Sequence, residues 1–429
     1  MRHHKEISLA KIKEFKTQLL SWAQQFEEVV WLDSNQCLHS HARYDAVLAV
    51  DAFTGIQTDA LNGFQKLKEY QEITKDWIFG YLSYDLKNDI EPLSSKNFDG
   101  LNFPDLYFFQ PKKLFLFNDT CVTIKYLNCI SDEIESDLAT IRSFSETPQS
   151  KSSNKINIEP RVSKASYIEK VTVMLSHIQR GDIYEANFCQ EFYATAQLNP
   201  LDTYFNLNAI AQTPFASFLK NGNKFLLSSS PERYIKKEGR IITSQPIKGT
   251  TRRSDNRNED EALKIALKND QKERSENIMI VDLVRNDLSK IAKKGTVKVT
   301  ELCEVHSFKQ VHHMISTVEA EVLPTVSPVG VIAATFPMGS MTGAPKISAM
   351  TIIEALEETK RGVYSGAVGY FSPEGDFDFN VVIRSILYNA SNSYVSFSVG
   401  SAITSKSTPE KEYEECLVKA KAMRSVLEN

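Results

Sequence analysis

Residues 363–403 read VYSGAVGYFSPEGDFDFNVVIRSILYNASNSYVSFSVGSAI. Three runs in this stretch, Val363 to Phe371, Phe377 to Tyr388 and Tyr394 to Ile403, are rich in β-branched and aromatic residues and read as strands. Ser372-Pro-Glu-Gly-Asp and Asn389-Ala-Ser-Asn-Ser supply turn residues between them, so the spacing predicts an antiparallel meander. Just downstream, Thr408-Pro409 opens a helix, with a cap residue followed by proline at the first helical position. Its residues Cys416, Leu417, Ala420, Met423 and Leu427 form one apolar stripe.

Upstream, a helical pattern runs from about Glu259 to Ile291. Ile168, Val171, Leu175 and Ile178 mark another helix, capped by Ser163 or Ser166 and ended by Gly181. Trp77 to Tyr84 and Asp105 to Phe109 read as strands, and Leu114–Phe117 with Val122–Leu127 as a hairpin turning at Asn118-Asp119. Strands and helices in this mixed order predict an α+β fold with large sheets rather than a doubly wound parallel sheet. The serine- and lysine-rich segment from Ser143 to Lys155 reads as an exposed linker. It divides an N-terminal region, 1–155, from a second region, 156–429.

The chain has 429 residues, of which 42% are hydrophobic, enough for a sizeable core. A formal net charge of −4 and the absence of a long basic block leave no electrostatic footprint for nucleic acid. The six cysteines show neither a CxxC pair nor metal-ligand spacing, and predict reduced, mostly buried thiols. No apolar run approaches a membrane span, so the expected location is cytoplasmic.

Several constellations carry chemistry. Lys248 sits in Pro246-Ile-Lys-Gly-Thr250, on what reads as a short loop after the strand Arg240–Gln245. An amine attacks only when neutral, so a lysine nucleophile needs burial or a neighbouring cation to shed its proton; a solvated loop lysine is the alternative. Glu273 and Glu276 project from one helix face, and Glu412 and Glu415 repeat that spacing on the last helix. Two such helices facing each other can hold a hard cation such as Mg²⁺, although each pair alone reads as a solvated face. Phe336-Pro-Met-Gly-Ser-Met-Thr-Gly-Ala-Pro-Lys346 is a loop whose free N–H groups suit an anion, with a helix starting near Pro345. Arg384, in an apolar strand, must either point out of the sheet or find an anion, a small carboxylic acid or an internal salt-bridge partner. His312-His313 lies in a strand-like run, where a hydrogen-bonded core histidine is the plain alternative to a site residue.

In this order, Ser230-Pro-Glu-Arg, Pro246-Ile-Lys-Gly-Thr, Arg274-Ser-Glu-Asn, Asp282-Leu-Val-Arg-Asn-Asp, Val311-His-His, Thr342-Gly-Ala-Pro-Lys and Glu412-Tyr-Glu-Glu closely resemble the chorismate-utilising enzymes. The likeness covers about residue 163 to the C-terminus. Phe79-Gly-Tyr-Leu-Ser-Tyr-Asp-Leu resembles a segment of the amidotransferase-linked members. The resemblance implies the fold of anthranilate synthase component I, a large two-sheet sandwich with flanking helices. The lysine in Pro-Ile-Lys-Gly-Thr resembles the aminodeoxychorismate synthase branch, where anthranilate synthases usually have alanine. It implies attack by Lys248 on C2 of chorismate as the C4 hydroxyl leaves, then entry of ammonia at C4.

By the same likeness Glu276 and Glu415 would bind Mg²⁺, with Glu273 and Glu412 assisting. Glu232 would be the general acid–base, and His313 the active-site histidine. Arg384, Tyr364, Thr342, Lys419, Gly400, Gly249 and Thr250 would contact substrate. Ammonia would come from a separate glutamine amidotransferase subunit in a heterodimer, because no Gly-x-Cys-x-Gly nucleophile turn is present. The 4-amino-4-deoxychorismate formed would serve 4-aminobenzoate and folate synthesis. The alternatives are anthranilate synthase component I and a non-catalytic chorismate-binding paralogue.

Two positions depart from the pattern. Glu185 stands where the amidotransferase-linked enzymes usually have glutamine, and where isochorismate and salicylate synthases carry a lysine. Ala402 replaces the last glycine of a Gly-x-Gly, a change that matters for substrate affinity if that backbone needs a positive φ. Trp31-Leu-Asp-Ser occupies a place suggestive of a regulatory tryptophan pocket, whose presence the sequence leaves open.

Overall fold

The computed structural model describes residues 1–37, 43–144, 155–309 and 311–428; the expected linker lies largely outside them. Two strands of 13 residues, Ala46–Thr58 and Leu106–Asn118, form the spine. They pair antiparallel from Ala46 opposite Phe117 to Thr58 opposite Leu106. The two runs expected at Asp105–Phe109 and Leu114–Phe117 are therefore one strand. Pro111, which the ladder would otherwise reject, sits where the register shifts between Ala52 and Thr54.

The spine belongs to two sheets. One continues through Glu28–Asp33, Phe215–Asn221, Lys224–Ser230, Ser385–Asn389 and Tyr394–Thr404 to Glu185–Thr195. On the other side of the spine it ends in Cys121–Leu127 and Arg2–Ser8. The second sheet leaves Leu106–Asn118 through Ile78–Leu82, Ala367–Phe371, Phe377–Asn380, Arg233–Glu238 and Ile241–Gln245 to Val311–Glu321. Lys298–Ser307 and Ile247–Arg252 flank that last strand on opposite sides. All these ladders are antiparallel, as the α+β reading with large sheets expected.

Period-two alternation in the strands fills two separate cores. Val30, Ala49, Leu219 and Leu226 face inward, in the cluster that holds Phe79, Tyr81, Val368 and Phe379 of the second sheet. Their neighbours Trp31, Leu48, Phe218 and Leu227 face outward, in the cluster that holds helix residues such as Leu19, Leu138, Tyr167, Leu207 and Met423. Each buried side chain of this size is worth about 1.5–3 kcal/mol relative to exposure.

Local signals set the helix ends. The Ser163 side chain accepts from Ser166 N–H and Gly181 closes Lys164–Arg180 in the left-handed conformation. The last helix is Pro409–Glu428. The single helix expected over 259–291 is two, Arg257–Asn269 and Gln271–Ser289. Asp270 leaves helical geometry and its carboxylate accepts from the N–H groups of Lys272 and Glu273, which starts the second helix afresh.

The middle run of the predicted meander is also divided. Phe377–Asn380 belongs to the second sheet and Ser385–Asn389 to the first. Residues 381–384 carry the chain across, with Arg384 at φ 52°. Arg384 is therefore at a sheet-to-sheet crossover rather than inside a strand. Of the six thiols all are free, and Cys189, Cys303 and Cys416 alone are buried. No helix among the described residues is long and apolar enough to cross a membrane.

Candidate active site

Lys248 lies on the strand Ile247–Arg252 rather than on a loop. Ile247 faces Ile315 and Thr250 faces His313, so the lysine strand carries one extra residue, a β-bulge. Gly249 supplies the positive φ, 86°, that the bulge needs. A Cβ at Gly249 would also lie 3.2 Å from Glu273. Gly249→Ala is therefore expected to lower stability by about 1–2 kcal/mol through left-handed strain, measurable as an earlier urea midpoint.

The bulge directs Lys248 inward. Its Nζ lies 3.0 Å from Oε1 of Glu185, at the start of Glu185–Thr195. The Glu185 side chain is 1% exposed. Burial alone would lower the Lys248 pKa, but the charges of Glu185, Glu276 and Glu232 outweigh it and hold the ammonium above its ordinary value. Glu232, fully enclosed, is pushed by burial up to about 7, with the Ser340 hydroxyl and the Lys248 charge pulling the other way. Both Glu232 and Ser340 line a cavity of about 20 Å³ together with Tyr234, Asp287 and Thr335, room for about one water.

The four carboxylates of the two helices meet. Lys272 lies 3.7 Å from both Glu276 and Glu412, and Glu412 accepts a hydrogen bond from Ser401. Burial raises Glu276 to about 7 and also raises Glu273. Burial would raise Glu415 too, but Lys419, 2.7 Å away, holds it below the usual range. Oε1 of Glu276 is buried without a hydrogen-bond partner. Such a set of hard oxygen donors, one of them orphaned, suits a divalent cation that keeps several waters. Among the described residues no three acidic, histidine or cysteine side chains already close on a metal geometry.

Around this acidic centre stand the polar groups. Thr250 Oγ1 is 2.9 Å from Nδ1 of His313, whose pKa burial pulls down to about 3, so the imidazole is neutral. Arg384 is half-buried. Its guanidinium forms no hydrogen bond or ion pair among the described residues, and Tyr364 and Glu415 are its electrostatic neighbours. Lys419 donates to the Gly400 carbonyl at 2.8 Å. Gly400 is required for a different reason from Gly249: a Cβ there would fall 2.6 Å from Cys189 Sγ. Thr342 is buried, and its carbonyl accepts from Asn187 N–H. Ala402 pairs with Asn187 in a regular strand and has no positive φ, so the missing glycine costs no backbone strain.

Two ion pairs behind the site, the first of them buried, were not singled out from sequence. Arg361 donates to both oxygens of Glu357 and to the carbonyls of Met341 and Asn187. Glu357 also accepts from Cys189 N–H. This pair ties the segments carrying Thr342, Tyr364 and Gly400's neighbour Cys189. Lys346 is half-buried, paired with Asp287 and donating to the carbonyls of Thr335 and Pro337. The Asp282–Asp287 and Thr342–Lys346 motifs were the available signals, because each ends on one member of that pair.

The Trp31-Leu-Asp-Ser segment borders a cavity of about 70 Å³ through Leu32, Asp33 and Ser34, facing Arg43, Tyr44 and Phe215. Trp31 itself turns away, edge-on to Phe117.

Residues 20–425 match the model of the chorismate binding enzyme family, and the chain belongs to that family. It is 35% identical over 379 residues to the chloroplastic aminodeoxychorismate synthase of Arabidopsis thaliana, an alignment covering 83% of this chain and 41% of that protein. The chain thus spans less than half the length of that relative. It is 32% identical over 393 residues to anthranilate synthase component 1 of Saccharolobus solfataricus, covering 90% of each. The solved anthranilate synthase component I of Streptococcus pneumoniae superposes with a TM-score of 0.79 at 28% identity, covering 90% of this chain and 94% of that one.

Proposed function

We propose that the chain is the chorismate-aminating component of an aminodeoxychorismate synthase, adding ammonia at C4 of chorismate. The observation that carries this reading is Lys248, fixed by a bulge and enclosed beside Glu185 and Glu232. An amine held this way can form a covalent bond to C2 while the C4 hydroxyl departs. Glu232, with a pKa near 7, is protonated often enough at neutral pH to give that hydroxyl its proton. Arg384 and Lys419 supply positive charge for the substrate carboxylates, and neutral His313 supplies a hydrogen bond without adding charge.

Glu276 and Glu415 would hold Mg²⁺, with Glu273 and Glu412 beside them. Bound there, the metal would neutralise the ring carboxylate and orient the substrate. Ammonia would be supplied by a separate glutamine amidotransferase or by solution.

Because the acid form of Glu232 is the working one, kcat/KM is expected to fall as pH rises through about 7. Glu232→Gln should lose that limb of the profile along with most activity. An unchanged profile in the variant would assign the acid elsewhere.

Anthranilate synthase component I is the second reading, favoured by a relative of that name whose alignment covers 90% of both chains. Purified chain given chorismate, Mg²⁺ and an ammonium salt separates the two. A non-fluorescent product one mass unit below chorismate is expected; fluorescent anthranilate would overturn the assignment.

A further inference from the structure

We propose that Glu185 is a catalytic residue, the proton acceptor that converts the Lys248 ammonium into the attacking amine and returns the proton when the lysine leaves. This inference rests on the C4-amination reading. Four observations carry it. Glu185 is the one group that the Lys248 ammonium hydrogen-bonds among the described residues, at 3.0 Å. Its side chain is buried, so the proton it receives is not exchanged at once with solvent. Its second oxygen, Oε2, is enclosed without a partner and is free to accept. Its backbone is clamped on two sides, opposite Thr404 in one ladder and Ala344 in the other, which fixes the point from which the carboxylate reaches Lys248.

The problem this solves is specific to the site. Lys248 donates to a buried carboxylate, which favours its charged form, and in that form it has no lone pair. Glu276 and Glu232 act on it only through space, without a hydrogen bond. A direct transfer to Glu185 leaves a neutral amine beside a neutral acid and moves no net charge out of the pair.

The protons then balance over the cycle. Lys248 gives one proton to Glu185, and its amine bonds to C2. The two conjugated ring double bonds both shift, the C4–O bond breaks, and Glu232 protonates the departing hydroxyl to release water. Lys248 is now a secondary ammonium on C2. Ammonia bonds to C4, both ring double bonds shift back, and the C2–N bond breaks to release the neutral lysine. Glu185 returns its proton to Lys248, and the new C4 ammonium returns one to Glu232. The net change is chorismate and ammonia in, aminated product and water out, with no oxidant or reductant.

The test is the rate of the Lys248 adduct in a single turnover without ammonia, followed by intact mass. Glu185→Gln keeps the shape and the hydrogen-bond acceptor but cannot take the proton. It is expected to slow adduct formation and kcat about 100-fold with KM nearly unchanged. Glu185→Asp, which keeps the base and shortens its reach, should recover part of that loss, whereas a merely structural role would favour the isosteric glutamine over aspartate. Adduct formation at the wild-type rate in Glu185→Gln, with adduct present in wild type, would overturn the Glu185 role alone. No adduct in wild type would overturn both this role and the Lys248 chemistry beneath it.

Discussion

Lys248→Ala is expected to leave no covalent adduct with chorismate and to cut C4 amination at least about 1,000-fold, since loss of a nucleophile removes the covalent route entirely. The side chain reaches no substrate surface from outside; it is held inward by the bulge at Gly249 and the contact with Glu185. Chorismate should still bind, because Arg384, Lys419 and the helix carboxylates are untouched. Equilibrium binding and adduct mass, measured on the same sample, separate loss of chemistry from loss of the site. The substitution also leaves Glu185 buried beside Glu276 without its cation, so a modest loss of stability should accompany it. An adduct persisting in the variant would remove Lys248 as nucleophile.

Arg361→Met should be the most destabilising of the substitutions considered, at about 3–5 kcal/mol, the usual result of leaving one member of a buried ion pair alone. Five hydrogen bonds end on this guanidinium, to Glu357, Met341, Asn187 and Ser365. Removing it strands the carboxylate of Glu357, a residue 8% exposed, with Cys189 N–H as its remaining donor among the described residues. Urea unfolding reports the stability. The double variant Arg361→Met/Glu357→Leu should regain most of it, since an apolar pair of similar volume replaces the ion pair. Activity should not return with it, because the Met341 and Asn187 carbonyls, next to Thr342 and opposite Ala402, lose their common anchor. Recovery of both would make the pair a packing feature only.

The parts of the fold that announce themselves in sequence are those governed by a few adjacent residues. Ser163 and Gly181 bound their helix, Pro409 opens the last one, and Asp119 turns the hairpin at φ 50°. Where tertiary geometry decides, the local pattern misleads. Val381-Val-Ile continues an apolar run smoothly while the chain changes sheets, and nothing before Arg384 marks the crossover. Asp270 interrupts a helical pattern with a cap that resembles an ordinary surface acid. The motif around Lys248 was plain, but the bulge was not, since it depends on the register against Val311–Glu321.

The candidate site divides in the same way. Its titratable residues stood in recognisable motifs, and the structure links Lys248, Glu185, Glu232, Glu276, Glu415 and Arg384 through one electrostatic neighbourhood. Glu357 and Arg361 escaped notice because a glutamate four residues before an arginine reads as a surface pair. Only the fold shows that both are buried.

The most direct measurement is the position of the incoming nitrogen. Chorismate, Mg²⁺ and ¹⁵N-labelled ammonium are incubated with the purified chain, and the product is read by ¹H–¹⁵N NMR. Label is expected on C4 of a non-aromatic ring that keeps its enolpyruvyl group. Label on an aromatic ring with release of pyruvate would contradict it and assign the chain to anthranilate formation.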